Sequence, residues 1–155
     1  MELILWRHAD AEDPGPKGDA ARALTKKGRK QAERIAAWLH PRLEGEWTVL
    51  SSPAVRAVQT VDALGAAYET RDALDTSCRV EDVLREAGWP GGDRVIVVGH
   101  QPTLGEVAAR LLGTTEEIAF RKGAIWWFAT RDREDRRDTV LKVVMDPEML
   151  EEGAK

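Results

Sequence analysis

The stretch Arg94-Val95-Ile96-Val97-Val98 decides the fold class of this chain. Its residues are β-branched and almost wholly apolar, which is typical of a central parallel strand that helices cover on both faces. The residues that follow, Gly99-His100-Gln101-Pro102, predict a turn into an amphipathic helix that ends at Gly113. A buried strand followed at once by such a helix indicates an α/β domain.

Two earlier segments repeat this order of strand, turn and helix. Glu2–Arg7 predicts a short buried strand that runs directly into His8, and 47–50 predicts a second strand. The helix after the first strand has Thr25 as its predicted N-cap, and we predict that the next helix starts at Ser52-Pro53.

The remaining segments complete the predicted fold. A weaker strand near 68–70 and a short helix over 80–87 come before the central strand. Near the end of the chain, two strand-like runs, 124–130 and 139–145, are joined by the highly charged segment 131–137, which predicts a solvated hairpin connection. We therefore predict a three-layer α/β/α sandwich with a mostly parallel sheet and a C-terminal antiparallel hairpin. A chain of 155 residues fits one domain, 1–155.

Composition restricts the partners and the compartment. The formal net charge is −4, so the chain has no global attraction for nucleic acid or for an anionic membrane, and we expect neither as a partner. The one cysteine, Cys78, excludes an intramolecular disulfide and a Cys-rich zinc site, which favours a reducing cytoplasm. The N-terminal residues do not resemble a signal peptide, and no apolar run approaches the roughly 18 residues of a membrane span.

Four polar residues lie at or just after the ends of three predicted strands. Arg7 ends the first strand and His8 follows it, Arg56 lies within one helical turn of the second, and His100 follows the central strand. Ligands of α/β sheets bind beyond the carboxyl ends of the strands, so we expect these side chains to meet. The arginines suit phosphate oxygens, and the helix N-termini near Ser52 and Gln101 add backbone N–H groups and a positive dipole end to the predicted phosphate site.

This set of residues predicts phosphoryl transfer to a histidine. His8 would attack as a neutral imidazole whose other ring nitrogen is held by a backbone carbonyl. Arg7, Arg56 and His100 would hold the phosphoryl oxygens, and a carboxylic acid would protonate a poor leaving group. No cofactor is needed for this chemistry.

A metal site is the alternative use of the same residues. His8, Asp10, Glu12 and His100 offer nitrogen and oxygen ligands. We expect no metal, because arginines beside the ligand histidines would repel a cation.

Four ordered segments resemble a known family. Arg7-His8-Ala9 resembles the RHG-type signature of the histidine phosphatase (phosphoglycerate mutase-like) superfamily. The segments 24–32, 51–60 and 98–100 are similar to its first-helix pattern, its second arginine segment and its second histidine. The short stretch between Arg56 and His100 leaves little room for a lid, and this most resembles the SixA branch, the phosphohistidine phosphatases.

The resemblance implies a phosphoglycerate mutase-like fold and a function. Family membership implies a phosphohistidine intermediate on His8 and a phosphate pocket formed by Arg7, Arg56 and His100. The substrate would be a phosphohistidine-bearing protein, such as a signalling or phosphotransfer domain. A phosphatase for small phosphate esters and a non-catalytic phosphoryl-binding module remain the alternatives.

The general acid is the least defined part of the pattern. The superfamily usually places a glutamate after the second arginine, and the corresponding run here contains Asp72, the favoured candidate. Asp75, Glu81 and Asp10 remain open as alternatives. Phosphohistidine tolerates a weak acid, because a free imidazole has a pKa near ~6.5 and leaves more easily than an alkoxide.

Overall fold

The computed structural model describes residues 1–150, so the last part of the predicted domain, 151–155, lies outside the described residues. Within these residues the strands form one six-stranded sheet in the order β3-β2-β4-β1-β5-β6. The strands are β1 (Glu2–Arg7), β2 (Thr48–Ser51), β3 (Glu69–Thr70), β4 (Arg94–Gly99), β5 (Ile125–Arg133) and β6 (Arg136–Met145). The pairs β1–β4, β2–β4 and β2–β3 are parallel, whereas β5 pairs antiparallel with β1 and with β6.

Helices cover both faces of the sheet. The α-helices of the described chain are α1 (Lys26–Leu39), α2 (Val55–Asp62), α3 (Val80–Ala87) and α4 (Thr103–Leu112). Short 3₁₀ turns occur at Asp19–Ala21, His40–Arg42, Asp72–Leu74 and Pro147–Met149. Apolar side chains of α1 and α2 pack on one face and those of α3 and α4 pack on the other. The predicted three-layer α/β/α sandwich is therefore confirmed.

The alternation of side chains along β1 divides the core into these two layers. Leu3 and Leu5 pack towards α3 and α4, whereas Ile4 and Trp6 pack towards α1 and α2, and all four are fully buried. Burying each such side chain contributes about 1.5–3 kcal/mol. The strand β1 is therefore anchored in the core on both of its faces, directly before His8.

The C-terminal hairpin is longer than its apolar residues predicted. The charged segment 131–137 is not a solvated connection as a whole, because both strands continue through it and turn at Glu134-Asp135. Opposite charges face each other across the ladder: Arg137 donates to Asp132, and Arg131 donates to Asp138. Such cross-strand pairs stabilise the strands in place of apolar contacts.

The helix α2 begins later than predicted. Its first residue is Val55 and its N-cap is Ala54, so Ser52-Pro53 does not start the helix. Ser52 directly follows β2, and its backbone N–H donates to Val98 O of the neighbouring strand β4. The Thr25 prediction is confirmed, because the Thr25 hydroxyl accepts from the Gly28 N–H at the start of α1. In the part of the chain that the structure describes, no helix is long and apolar enough to cross a membrane.

Candidate active site

The backbone of His8 is held between two neighbouring strands. Its N–H donates to the carbonyl of Gly99 at the end of β4 (3.0 Å), and its carbonyl accepts from the N–H of Gly123 just before β5 (3.1 Å). His8 is 7% exposed. The sheet therefore fixes the position of this residue at the carboxyl end of β1.

The tautomer of His8 is set by its neighbour. The Nδ1–H donates to the carbonyl of Ala9 (2.8 Å), so Nε2 carries the lone pair and accepts from Arg56 Nε (3.3 Å). Burial lowers the pKa of His8 to about 3, and the positive charges of Arg56 and Arg7 act in the same direction. The ring is therefore neutral near pH 7, as a nucleophile requires.

His100 lies opposite His8. The centroids of the two rings are 5.2 Å apart, and the Nε2 of His100 is 2.8 Å from the hydroxyl oxygen of Ser52. Burial and the charge of Arg56 lower the pKa of His100 to about 4, although the charges of Asp19 and Asp75 act in the opposite direction. His100 is therefore also neutral near pH 7.

Two buried nitrogen atoms of the site have no hydrogen-bond partner within residues 1–150. They are the Nε of Arg7 and the Nδ1 of His100. The guanidinium of Arg7 is held at its other end, where Nη1 donates to the carbonyl of Phe120 (2.7 Å). If the Ser52 hydroxyl donates to His100 Nε2, then Nδ1 carries the hydrogen. Both nitrogen atoms are then donors that an oxyanion could satisfy, because unpaired buried polar groups are otherwise costly.

The loop after His8 is held by side chains from the two helices on this face. The Gln31 amide oxygen accepts from the N–H of Asp10 (2.9 Å), and the Thr60 hydroxyl accepts from the N–H of Ala9 (3.0 Å). Gly28 is required here, because a Cβ on it would lie 2.0 Å from the carbonyl oxygen of Asp10. Gln31 and Gly28 of α1 and Thr60 of α2 therefore hold the backbone directly after the candidate nucleophile.

Gln101 is close to the site, but its side chain has other partners. The amide nitrogen donates to the carbonyl of Ile118 (2.9 Å), and the amide oxygen accepts from the N–H of Gly105 (3.1 Å). The side chain therefore connects α4 to the segment before β5. A role for Gln101 in phosphate binding stays a prediction, which concerns its backbone N–H at the helix start.

The candidate acids lie in different surroundings. Asp72 is exposed in a 3₁₀ turn, and Glu81 accepts from Arg110 on α4. Asp10 accepts from Lys122, and this hydrogen bond and one from the Thr25 hydroxyl lower its pKa.

Of the four candidate acids, Asp75 is the one whose negative charge raises the pKa of His100. Hydrogen bonds from the hydroxyl and the N–H of Ser77 lower the pKa of Asp75 itself.

Two residues near the site were missed by sequence reasoning. Ser52 was predicted only as a helix cap, although its hydroxyl contacts His100. Asp19 was assigned no role, yet it contacts the guanidinium of Arg56. No sequence signal marks Asp19, because it lies in an irregular loop whose path the local pattern does not determine.

A metal ion has no evident ligand set in the described chain. Within residues 1–150, no group of three or more His, Cys, Asp or Glu side chains is placed to hold one.

The chemistry of the site defines a class of protein. A neutral, oriented histidine lies beside Arg56 and a second histidine, the charge of Arg7 acts on it, and two buried nitrogen atoms lack partners within residues 1–150. This arrangement is typical of a protein that binds a phosphoryl group.

Comparison with known proteins gives the family. Residues 3–90 match the model of the histidine phosphatase superfamily (branch 1). The chain belongs to the histidine phosphatase superfamily, and it is a phosphatase by that membership.

Relatives of known name support this assignment along most of the chain. A phosphohistidine phosphatase SixA homolog from Haemophilus influenzae is 29% identical over 141 residues, which cover 81% of this chain and 85% of that protein. Phosphohistidine phosphatase SixA from Escherichia coli is 28% identical over 134 residues, which cover 81% of this chain and 83% of that protein.

A solved structure of the protein histidine phosphatase SixA complexed with tungstate superposes with a TM-score of 0.77 at 27% identity. The match covers 96% of this chain and 99% of that one. The predicted phosphoglycerate mutase-like fold and the predicted resemblance to SixA proteins are confirmed.

Proposed function

We propose that this chain is a phosphohistidine phosphatase that removes phosphoryl groups from a histidine of another protein. The observation that carries the proposal is the state of His8, which is neutral, buried and oriented with Nε2 towards Arg56. The relatives named as phosphohistidine phosphatases support the substrate class. The same proposal places the substrate in a reducing cytoplasm, in keeping with the free thiol of Cys78.

The proposed reaction has two displacements at phosphorus. In the first, Nε2 of His8 forms a bond to phosphorus while the bond from phosphorus to the substrate nitrogen breaks. The departing imidazole carries a proton on its other ring nitrogen and leaves as a neutral ring. In the second, water attacks the phosphohistidine on His8, which releases inorganic phosphate and restores the neutral nucleophile.

The charge on the transferring phosphoryl group needs fixed donors. Arg7 Nε and His100 Nδ1 are buried without partners within residues 1–150, and Arg56 Nε is directed at the attacking nitrogen. We propose that these three groups bind the phosphoryl oxygens. Because the donors are already oriented, little reorganisation is required when charge moves to these oxygens.

The acid is proposed from its surroundings. Asp72, Asp75, Glu81 and Asp10 all stay predictions, and of these Asp75 is the one whose charge raises the pKa of His100. The lowered pKa of Asp75 makes it ionised at neutral pH, so it would be a weak proton donor. A site with a weak acid favours leaving groups that need little protonation, and a phosphohistidine imidazole is one of them.

The decisive experiment measures phosphate release from a phosphohistidine-bearing phosphotransfer domain, with and without chelator. We expect the wild-type chain to be active in both conditions and His8→Ala to be inactive. The matched control is His40→Ala, which removes an exposed histidine from a 3₁₀ turn and should keep wild-type activity.

The other outcomes separate the alternatives. If wild type hydrolyses p-nitrophenyl phosphate but releases nothing from the phosphoprotein, the chain is a phosphatase for small esters. If neither substrate reacts but orthovanadate binds, the non-catalytic phosphoryl-binding module stands. Loss of activity with chelator would contradict the metal-independent mechanism.

A further inference from the structure

The loop between β1 and α1 contacts the candidate phosphate site through one residue, Asp19. The carbonyl oxygen of Asp19 accepts from Arg56 Nη1 (2.8 Å), and its carboxylate Oδ2 accepts from Arg56 Nη2 (3.1 Å). Asp19 therefore binds both outer nitrogen atoms of this guanidinium. The two residues are far apart in the chain, so the contact is a product of the tertiary fold.

The hydrogen bonds of Arg56 show what this contact does to its orientation. A guanidinium has five N–H donors in a rigid plane. Asp19 accepts from the outer edge and His8 Nε2 accepts from Nε, which leaves one hydrogen on each of the two outer nitrogens. These three hydrogen bonds, one from each guanidinium nitrogen, hold the group in a defined orientation beside His8.

Asp19 is itself held in place by its own loop. It begins the 3₁₀ turn Asp19–Ala21, directly after Gly18, whose φ of 89° suits glycine. Its second carboxylate oxygen, Oδ1, accepts from Arg22 Nη1 (3.2 Å). Arg22 in turn donates through Nε to the carbonyl of Glu12 (2.6 Å). The carboxylate therefore has a defined position before any substrate binds.

A carboxylate at this position requires an explanation. Asp19 is close enough to His100 for its charge to raise the pKa of that ring, so it also repels a bound phosphoryl anion. A negative charge near the site weakens anion binding unless the same carboxylate also favours binding in another way. The contacts of Asp19 indicate that it does so by orienting Arg56, whose side chain is long and flexible.

We propose that Asp19 is a positioning residue that holds Arg56 in the orientation in which it binds the phosphoryl group. This inference rests on the proposed function, since it assumes that Arg56 contacts the transferring phosphoryl group. It assigns the loop before α1 a direct part in forming the phosphate site. It also distinguishes Asp19 from the candidate acids, since the carboxylate acts here through Arg56 and transfers no proton.

The alternative to a positioning role is that Asp19 acts as the general acid. Partial burial opposes the ionisation of Asp19, but hydrogen bonds from Arg22 and Arg56 outweigh it and lower its pKa. An ionised carboxylate between two arginines has no proton to donate at neutral pH. The two roles also predict different dependence on the leaving group, which provides a test.

The first experiment compares Asp19→Ala with wild type on p-nitrophenyl phosphate and on orthovanadate as inhibitor. We expect kcat/KM to fall by about 10- to 100-fold, the size of effect that misplacement of a reacting group produces. We expect the inhibition constant of orthovanadate to rise by about 10-fold. The sign is decisive, because removal of a negative charge without loss of orientation would make orthovanadate bind more tightly. An unchanged or lower constant would overturn the proposal.

Two further variants serve as controls. Asp19→Ala and Asp19→Asn both keep the backbone acceptor, but only Asp19→Asn keeps a side-chain oxygen, so it should recover part of the activity that Asp19→Ala loses. Asp13→Ala removes an exposed carboxylate from the same loop and should behave as wild type. Thermal unfolding of each variant shows whether the fold is retained. We expect that it is, because the side chain of Asp19 is 51% exposed.

A double-mutant cycle tests whether Asp19 acts through Arg56. In an Arg56→Lys background the planar fork is absent, so Asp19→Ala should have almost no further effect on orthovanadate inhibition. Additive effects would show a purely structural role and would overturn the proposal.

The loss in Asp19→Ala should also be equal for p-nitrophenyl phosphate and for a plain alkyl phosphate. A larger loss for the alkyl ester would identify Asp19 as an acid instead. If wild type neither releases phosphate from the phosphohistidine-bearing domain nor binds orthovanadate, the proposed function and this inference fail together. Wild-type turnover with an unaffected Asp19→Ala defeats the inference alone.

Discussion

Two arginine-containing regions of the chain differ in what surrounds each guanidinium. At the tip of the β5–β6 hairpin, Arg131, Arg133 and Arg136 are 50–63% exposed, and all three bind the carboxylate of Asp138. At the carboxyl end of the sheet, Arg56 is 4% exposed, and it directs Nε towards the nitrogen of a neutral histidine. In an acidic chain the capture of an anion therefore depends on where an arginine lies and which of its donors remain free.

The largest effect should come from the buried arginine. Arg56→Ala should lower kcat/KM for p-nitrophenyl phosphate by about 10²- to 10³-fold, because it removes a donor that we propose binds the transferring phosphoryl group. The matched variant Arg133→Ala removes an exposed guanidinium that is bound to Asp138 and should leave kcat/KM unchanged. Steady-state kinetics of both variants at one pH gives the comparison. Similar losses in the two variants would remove the distinction between the regions.

Acid should destabilise the site region through its histidines. The pKa values of His8 and His100 are about 3 and about 4 in the folded chain, whereas an unfolded histidine has a pKa near ~6.5. Above that pH both states are neutral, and below it only the unfolded chain gains protons. The free energy of unfolding should therefore fall between pH 6.5 and 5, by on the order of 2 kcal/mol for each histidine.

Urea unfolding between pH 7.5 and pH 5 measures this loss. Carboxylates remain ionised in both states over most of this range, so the histidines dominate the slope. His100→Gln should reduce the slope by about half, because it removes one of the two contributing rings. A slope in His100→Gln equal to that of wild type would contradict the burial argument.

The strands and helices that frame the site could be predicted because local pattern and tertiary environment agree there. The apolar run of β4 is buried on both faces, and Thr25 caps α1 as its residue type favours. Prediction failed where tertiary contacts decided. Ser52 has the residue type of a helix cap, but its N–H pairs with Val98 and its hydroxyl with His100. The sheet therefore determined its conformation.

The site shows the same division. The four residues that follow strand ends could be predicted to meet, because topology alone brings the carboxyl ends of parallel strands together. The contact of Asp19 with Arg56 could not be predicted, since it depends on the path of an irregular loop. The charged hairpin was underestimated for a related reason. Its strands are held by pairs such as Arg137–Asp132, and charge alone does not distinguish such a ladder from a solvated turn.

A smaller effect should come from the serine behind His100. Ser52→Ala removes the partner of His100 Nε2, so the ring loses the contact that we propose fixes Nδ1 as a donor to the phosphoryl group. We expect kcat to fall about 10-fold, as is usual when a residue that orients a catalytic ring is lost.

Ser51→Ala is the control for this prediction, because Ser51 is an adjacent buried serine whose hydroxyl donates to a backbone carbonyl. Its loss should lower stability and leave kcat near the wild-type value. Equal kcat values in the two variants would show that Ser52 does not orient His100.

The smallest effect should lie in the hairpin. Arg137 and Asp132 form an ion pair with an N–O distance of 2.8 Å, but both side chains are largely exposed. A double-mutant cycle with Arg137→Ala and Asp132→Ala should give a coupling free energy below about 1 kcal/mol, and 1 M NaCl should reduce it, because solvent and salt screen exposed charges. Urea unfolding of the four proteins measures this coupling. A coupling above about 2 kcal/mol that persisted in salt would mean that the hairpin pairs are far stronger than exposed pairs usually are. The difference between the two regions would then lie only in which donors remain free, and not in how well water screens their charges.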